Sequence, residues 1–197
     1  MIGCICWSLL YFVTNSVLSL LGCPVWVTAV VTACIAVSLT AFCWRKDARC
    51  RTSGDLCAAL PLLVFAAANI VFLETLTFSA VWVCTLVGAV VEELLFRGLL
   101  LGALEKKNTH IAIACSTLLF GAYHWINGGH WQALCAVCFG FALAVYMCRF
   151  RAVWPCVAVH VLTNAFGNAA VPLWLLLLCC VICSIYGWVL YPRKKEI

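Results

Sequence analysis

The chain has few charged residues. Only 10% of its 197 residues are Asp, Glu, Lys or Arg, whereas 66% are apolar. Since soluble globular domains carry about 25% charged residues, this composition excludes an ordinary soluble domain. Long apolar stretches broken by short basic clusters are typical of a multi-pass membrane protein.

The apolar stretches are long enough to cross a bilayer. A hydrocarbon core of about 30 Å needs a helix of roughly 20 residues, and eight stretches come close to that length. Their short connections leave no room for a separate soluble domain. The sequence therefore predicts an all-α, multi-pass integral membrane bundle of about eight transmembrane helices. The predicted spans cover residues 4–21, 25–44, 57–73, 78–103, 110–126, 131–148, 153–168 and 172–190.

Basic residues are missing from one side of this predicted bundle. Lys and Arg are enriched in cytoplasmic loops, and eleven of the twelve follow an even-numbered span. Both termini are therefore predicted to be cytoplasmic. The net charge of +5 reflects membrane topology and does not indicate nucleic-acid binding. The eleven residues are Arg45, Lys46, Arg49, Arg51, Lys106, Lys107, Arg149, Arg151, Arg193, Lys194 and Lys195.

Two further absences narrow the interpretation. No Lys or Arg precedes the first apolar stretch and no A-x-A site follows it, so this stretch is interpreted as a transmembrane helix and not as a cleaved signal. The small loop-rich domain of a disulfide scaffold is also missing. The 16 cysteines are scattered through the apolar segments and are interpreted as small apolar side chains.

Acidic residues are nearly absent from the predicted spans. Five of the seven lie in or near the connections, and the other two are Glu92 and Glu93 in EELLFRG. An ionisable side chain inside a span is costly and usually faces a cavity, a partner or a substrate path. Glu93 and Arg97 are spaced i,i+4 and can neutralise each other. Glu92 points about 100° away and needs another explanation.

Two of the four histidines lie inside spans. His124 follows Phe120 by four residues, and His160 precedes Asn164 by four. With a rise of 1.5 Å per residue, Glu92 and these polar residues fall about 10–20 Å from the cytoplasmic ends of their helices. We therefore expect the fourth, fifth and seventh spans to converge on one polar pocket.

The chemistry of this expected pocket is that of a hydrolase. A carboxylate in a low-dielectric pocket can act as a general base, so Glu92 is the candidate, with His124 holding the water or moving its proton. His160 and the Asn164 amide are donors of the kind that stabilise an oxyanion. No serine or cysteine is convincingly paired with the histidines, which disfavours a covalent nucleophile. Zinc bound by Glu92, His124 and His160 stays open, although H-E-x-x-H is absent.

The order and spacing of these acidic, basic, aromatic, histidine and asparagine residues resemble three motifs of the CPBP family. That family comprises the glutamate-type CAAX prenyl endopeptidases and the related bacteriocin-processing or immunity proteins. The resemblance covers roughly residues 80–170. The motifs are Glu92-Glu93-x-x-x-Arg97, Phe120-x-x-x-His124 and His160-x-x-x-Asn164.

The resemblance implies an intramembrane endopeptidase. Glu92 would activate water with help from His124, and His160 and Asn164 would form the oxyanion site. The supporting residues would be Glu93, Arg97 and Phe120, and no metal would be necessary.

This interpretation divides the chain into variable N-terminal helices (1–75), a catalytic core (76–170) and a C-terminal helix with a basic tail (171–197). The implied substrate is a membrane-associated peptide or protein. The implied location is a bacterial inner membrane or its equivalent, with the site in the cytoplasmic half of the bilayer. Prenylation of the substrate and the oligomeric state stay open.

Two other function classes stay open. A proton-coupled transporter would also place Glu and His in the membrane, but it predicts ion-dependent flux and often an internal repeat, which this sequence lacks. A non-proteolytic scaffold or bacteriocin-immunity-type protein would tolerate Glu92→Gln, whereas a hydrolase would not.

Overall fold

The structure, a computed structural model, describes most of two stretches of the chain, residues 2–46 and 80–165. All regular secondary structure in these stretches is helical, which confirms the all-α prediction for them. The predicted third span, the basic residues Arg49 and Arg51, and the basic tail lie outside the described residues. The predicted eighth span lies outside them too, apart from Trp174, Leu177, Leu178, Val181, Ile182 and Ile185.

The helices begin and end within a few residues of the predicted bounds. A π-helical segment, Leu94–Leu101, continues the third helix directly into a short fourth one. Among the described residues, Val25–Arg45 and Gly128–Phe150 are long and apolar enough to cross a membrane. The helices are α1 (Ile2–Leu20), α2 (Val25–Lys46), α3 (Ala80–Glu93), α4 (Gly102–Glu105), α5 (Thr109–Phe150) and α6 (Trp154–Ala165).

Helices α1 and α2 form an antiparallel pair. Gly22 ends α1 in the left-handed region with φ +63°, and the Cys23 amide donates to the Leu18 carbonyl at 3.0 Å. This is the Schellman arrangement, which favours glycine at its left-handed position. Between the two helices, the Thr32 hydroxyl donates to Asn15 Oδ1 at 3.2 Å. A polar contact therefore fixes the pairing of two otherwise apolar helices.

Helix α5 consists of two helices that meet at Gly129, where φ is +79° and ψ is −174°. This conformation is open only to glycine at reasonable cost. The two halves fold back on each other. A Cβ on Gly121 would collide with the Val137 side chain, and one on Gly140 would lie 3.0 Å from Phe120 Cδ1. The two halves correspond to the predicted fifth and sixth spans.

Helix α3 and the π segment lie among the other helices, with α1, α2, α5 and α6 all in contact with them. The Cys84 thiol donates to the Val25 carbonyl at 3.7 Å, so α2 and α3 begin at the same end of the bundle. Where α4 and α5 end, Arg151 Nη1 lies 2.7 Å from Glu105 Oε2, and this ion pair joins the two helix ends. The two adjacent glutamates are therefore carried by the most enclosed helix of the described bundle.

The outer surface of the described helices is rich in large apolar side chains. Trp26 and Val37 on α2, and Leu118, Leu119 and Trp125 on α5, are all more than half exposed. Soluble monomers rarely present so many large apolar groups to water. This surface suits contact with hydrocarbon.

Candidate active site

The site is built around the π-helical segment, which begins directly after Glu93 and carries Arg97. Such π turns are rare and often occur at functional sites. The Ser116 hydroxyl of α5 donates to the Phe96 carbonyl at 3.0 Å, and this bond is buried. The segment is therefore held against the first half of α5, the helix that carries His124.

A buried ion pair lies on this segment. Glu93 Oε1 and Arg97 Nη1 are 2.9 Å apart, and both side chains are fully buried. The guanidinium carbon of Arg97 lies 4.2 Å from the centroid of the Phe120 ring, a cation–π contact. The close approach of Gly140, where a Cβ would lie 2.9 Å from Arg97 Nη2, makes room for this stack. The spacing-based prediction of a Glu93–Arg97 pair thus matches the observed geometry.

Helix α6 adds His160 to the same carboxylate. Its Nδ1 lies 2.9 Å from Glu93 Oε1, and the residue is 3% exposed. The rings of Phe120 and Phe139 pack edge-on against the imidazole, with centroid distances of 5.7 and 5.4 Å. A carboxylate paired with arginine only accepts, so Nδ1 carries the hydrogen and donates. The opposite ring nitrogen, Nε2, is left to face the pocket.

His124 has the same arrangement with a different partner. Its Nδ1 lies 2.9 Å from the backbone carbonyl of Phe120, one turn earlier on α5. A carbonyl can only accept a hydrogen bond, so Nδ1 is the donor and Nε2 is free. The His124 ring also contacts the Phe120 ring, with centroids 4.4 Å apart. Phe120 therefore orients both histidines and the arginine.

Glu92 lies opposite the Nε2 atoms of both histidines. Its Oε2 lies 3.9 Å from His124 Nε2 and 4.0 Å from His160 Nε2. This oxygen is buried and has no hydrogen-bond partner among the described residues. Distances near 4 Å are too long for direct hydrogen bonds but suit polar groups that share one bridging water. The arrangement can hold and deprotonate a water molecule.

Asn164 lies apart from these three side chains. Its amide nitrogen donates to the Thr85 carbonyl of α3 at 3.4 Å. Thr85 precedes Glu92 by two helical turns, or about 10 Å along the axis. The expected single layer is therefore observed for Glu92, His124 and His160, whereas the Asn164 amide points to a level farther towards the start of α3.

The same three side chains test the open question of zinc. Zinc needs three protein ligands within bonding distance of one point. Among the described residues, no group of three or more His, Cys, Asp or Glu side chains is arranged to hold a metal ion. The observed geometry of these three side chains does not fit zinc.

Sequence reasoning missed two tyrosines beside the site. Tyr11 of α1 is buried, and a Cβ on Gly88 would lie 3.2 Å from its hydroxyl oxygen. Tyr123 precedes His124, and their rings are 5.2 Å apart. Tyrosine counts as apolar in a hydropathy pattern, which hides its hydroxyl. The spacing of Tyr11 and Asn15, i,i+4 on one face of α1, was the available signal.

Part of the chain is similar to known proteins. Residues 73–166 match the family described as type II CAAX prenyl endopeptidase Rce1-like. Over 85 residues the chain is 32% identical to "Putative membrane peptidase YdiL" of Bacillus subtilis (strain 168). That alignment covers 43% of this chain and 34% of the relative, so the matching part spans about a third of the relative's length. No solved structure gives a significant match.

The predicted resemblance to the CAAX prenyl endopeptidases is thereby confirmed over residues 73–166. All three predicted motifs lie inside this range, whereas α1 and α2 lie outside it. The matched residues are thus similar to membrane peptidases, and the apolar helices are consistent with a membrane protein.

Proposed function

We propose that the protein is an intramembrane endopeptidase that hydrolyses a peptide bond with water activated by Glu92. One observation carries this proposal. The buried Oε2 of Glu92 faces the free nitrogens of two imidazoles at 3.9 and 4.0 Å. Each imidazole is oriented by a hydrogen bond of 2.9 Å from its other nitrogen. An unpaired carboxylate enclosed by apolar helices is costly to bury, and ionisable groups in such positions usually have a function.

The proposed reaction begins with a water between Glu92 and His124. Glu92 takes one proton while the water oxygen bonds to the carbonyl carbon of the substrate peptide. The tetrahedral intermediate then collapses as the carbon–nitrogen bond breaks. Glu92 returns this proton to the departing amine, and the water oxygen stays in the new carboxyl group, which loses its remaining proton to solvent. The cycle needs no covalent intermediate with the protein.

The proposed oxyanion site uses the two polar groups of α6. The Nδ1 proton of His160 is already donated to Glu93, so His160 must also carry a proton on Nε2 to donate to the oxyanion. The Glu93 carboxylate stabilises that charged imidazole. Asn164 would join by turning its amide from the Thr85 carbonyl towards the substrate. The long contact of 3.4 Å to Thr85 makes this exchange inexpensive.

The proposed topology is eight transmembrane helices with both termini in the cytoplasm, in a bacterial inner membrane or its equivalent. It is supported by α2 and α3, which begin at the same end, as two helices entering from the same side must. The Arg151–Glu105 pair also joins two predicted cytoplasmic connections. The site would then lie in the cytoplasmic half of the bilayer. A membrane-associated peptide or protein is the proposed substrate.

The proposal is tested by profiling protein termini in membranes of cells that express the wild-type chain or Glu92→Gln. Glu105→Gln is the matched control, because Glu105 pairs with Arg151 outside the pocket. We expect specific new termini in the wild type and in Glu105→Gln, and none of them in Glu92→Gln at equal abundance. Identical profiles in all three membranes would reject the protease. A cellular effect that persists in Glu92→Gln would then support a scaffold or immunity protein.

A further inference from the structure

A groove with a volume of about 590 Å³ runs between α2 and α3. Sites for small molecules have volumes of about 300–1,000 Å³, so this groove is large enough for a ligand. Ala33, Val37 and Ala41 line it on α2, and Val87 and Val90 line it on α3. The three residues of α2 are spaced i,i+4 in one stripe, and their small side chains leave the space between the helices unfilled. Val37 is 71% exposed, so the groove is open along its side.

The groove lies on the side of α3 that is opposite Glu92. Glu92 follows Val87 by five positions and Val90 by two. With 3.6 residues per turn, its side chain points about 170° away from the mean direction of the two valines. The body of α3 therefore separates the groove from the candidate active site. A ligand in the groove would not be within reach of Glu92, so the groove is not the place where a substrate is cleaved.

The two ends of the groove differ in chemistry. Trp44 and Arg45 line one end, close to where α2 ends, and Thr40 is the one other polar residue of the lining. Ala33 precedes Arg45 by 12 positions, a distance of about 18 Å along the helix axis. Half of a hydrocarbon core of about 30 Å is about 15 Å, so the groove has the length of one leaflet. Tryptophan is enriched where the hydrocarbon meets the headgroups, which is the level that this length gives to Trp44.

The end of the groove at Arg45 is basic. Arg45 is exposed, and none of the ion pairs between described residues includes it. In the sequence, Arg45, Lys46, Arg49 and Arg51 stand against one acidic residue, so residues 45–51 have a formal net charge of +3. Basic clusters next to the cytoplasmic end of a span attract anionic lipids, and a guanidinium can hold a phosphate by two parallel hydrogen bonds. A zwitterionic headgroup would bring its own ammonium group into this cluster, whereas an anionic headgroup would not.

We propose that the groove binds one anionic phospholipid of the cytoplasmic leaflet. Its phosphate binds Arg45, and one of its acyl chains lies along Ala41, Val37 and Ala33. The lipid contacts α2 and α3 together and supports their packing. Because the groove is separated from Glu92 by α3, lipid binding does not depend on proteolysis and can be measured without a substrate.

Native mass spectrometry of the purified full chain tests the preference for an anionic headgroup. Protein in detergent is titrated with phosphatidylglycerol, which is anionic, or with phosphatidylethanolamine, which is zwitterionic. We expect the wild type to bind one phosphatidylglycerol about tenfold more tightly, the effect of hydrogen bonds to a charged group. Arg45→Gln should lose this preference, whereas Lys107→Gln, the same kind of change at an exposed basic residue outside the groove, should keep it. Equal affinity of the wild type for the two lipids would overturn the proposal.

Photolabelling in vesicles tests where the lipid binds. Phosphatidylglycerol with a photoreactive group in one acyl chain is expected to label the groove walls of α2 and α3 more than other exposed helix faces. Ala41→Phe fills the groove and should abolish this label. Ala114→Phe is the matched control, because Ala114 is an exposed alanine of α5 at a similar distance from the predicted cytoplasmic end of its helix. Label spread evenly over the exposed faces would indicate ordinary bilayer contact and overturn the proposal. Absence of label from the groove, as expected if residues 47–79 or a second copy of the chain cover it, would overturn it too.

Discussion

His160 Nδ1 and Arg97 Nη1 both lie 2.9 Å from the same oxygen of Glu93. His160 and Glu93 are 67 residues apart in the sequence, so this oxygen links α6 to α3. One acidic side chain thereby neutralises a buried arginine and orients a histidine of the site. Glu93 thus has a structural task that leaves the adjacent Glu92 available for chemistry.

Removal of the Glu93 charge should destabilise the protein strongly. Glu93→Gln leaves the fully buried Arg97 without its counter-charge, and breaking such a pair costs about 3–5 kcal/mol. A thiol-reactive dye can follow unfolding in detergent, because the buried cysteines Cys43 and Cys156 react only once exposed. The double variant Glu93→Leu/Arg97→Met should recover part of the loss. Equal melting of Glu93→Gln and wild type would contradict the buried pair.

Two neighbouring hydroxyls on α5 should differ in their contribution to stability. Ser116→Ala removes the bond to the Phe96 carbonyl and should cost about 1–3 kcal/mol, with some loss of activity as the π segment loosens. Thr117→Val is the matched control. The Thr117 hydroxyl is buried without a hydrogen-bond partner among the described residues, so its removal should be neutral or stabilising. Thermal unfolding of both variants tests this difference. A larger loss of stability in Thr117→Val than in Ser116→Ala would contradict it.

Gly140→Ala should disturb the stack of Arg97 on Phe120. The new methyl carbon would lie 2.9 Å from Arg97 Nη2 and 3.0 Å from the Phe120 ring, so one of them must move. Overpacking of this kind costs about 1–3 kcal/mol, and activity should fall because Phe120 orients both histidines. Phe141→Leu, at the exposed position next along the helix, should change neither quantity. Wild-type stability and activity in Gly140→Ala would show that the stack is looser than the structure indicates.

Metal removal should leave cleavage intact. The described site has no group of side chains arranged to hold a metal ion, and the proposed cycle uses none. Purified protein treated with a strong chelator and then dialysed is expected to retain its kcat, and elemental analysis should find less than one zinc per chain. Loss of activity that returns only with added zinc would overturn the mechanism.

The sequence predicts the parts of the site that depend on helical spacing. The i,i+4 interval places Glu93 beside Arg97, and the unpaired direction of Glu92 follows from the same geometry. Depth from the helix ends is sufficient to bring His124 and His160 to the level of Glu92. Each of these inferences needs only one helix or a count along its axis.

Other features depend on contacts between helices and cannot be predicted from the spacing of residues along one helix. The orientation of the Asn164 amide towards Thr85 and the approach of Tyr11 to Gly88 join residues that are 79 and 77 positions apart. The π-helical turn after Glu93 has no simple sequence signature, because it depends on packing against α5 as much as on its own residues. The sequence therefore does not predict those features whose conformation is decided by packing between helices.

The central claim is that Glu92 activates the attacking water, and cleavage by purified protein in lipid vesicles tests it most directly. Initial rates on one substrate peptide would be compared for wild type, Glu92→Gln and Glu105→Gln, each shown to be folded. General base catalysis contributes about 10²–10⁴-fold, so Glu92→Gln should be at least about 100-fold slower while Glu105→Gln keeps the wild-type rate. A folded Glu92→Gln that cleaves at a rate near that of the wild type would contradict the account.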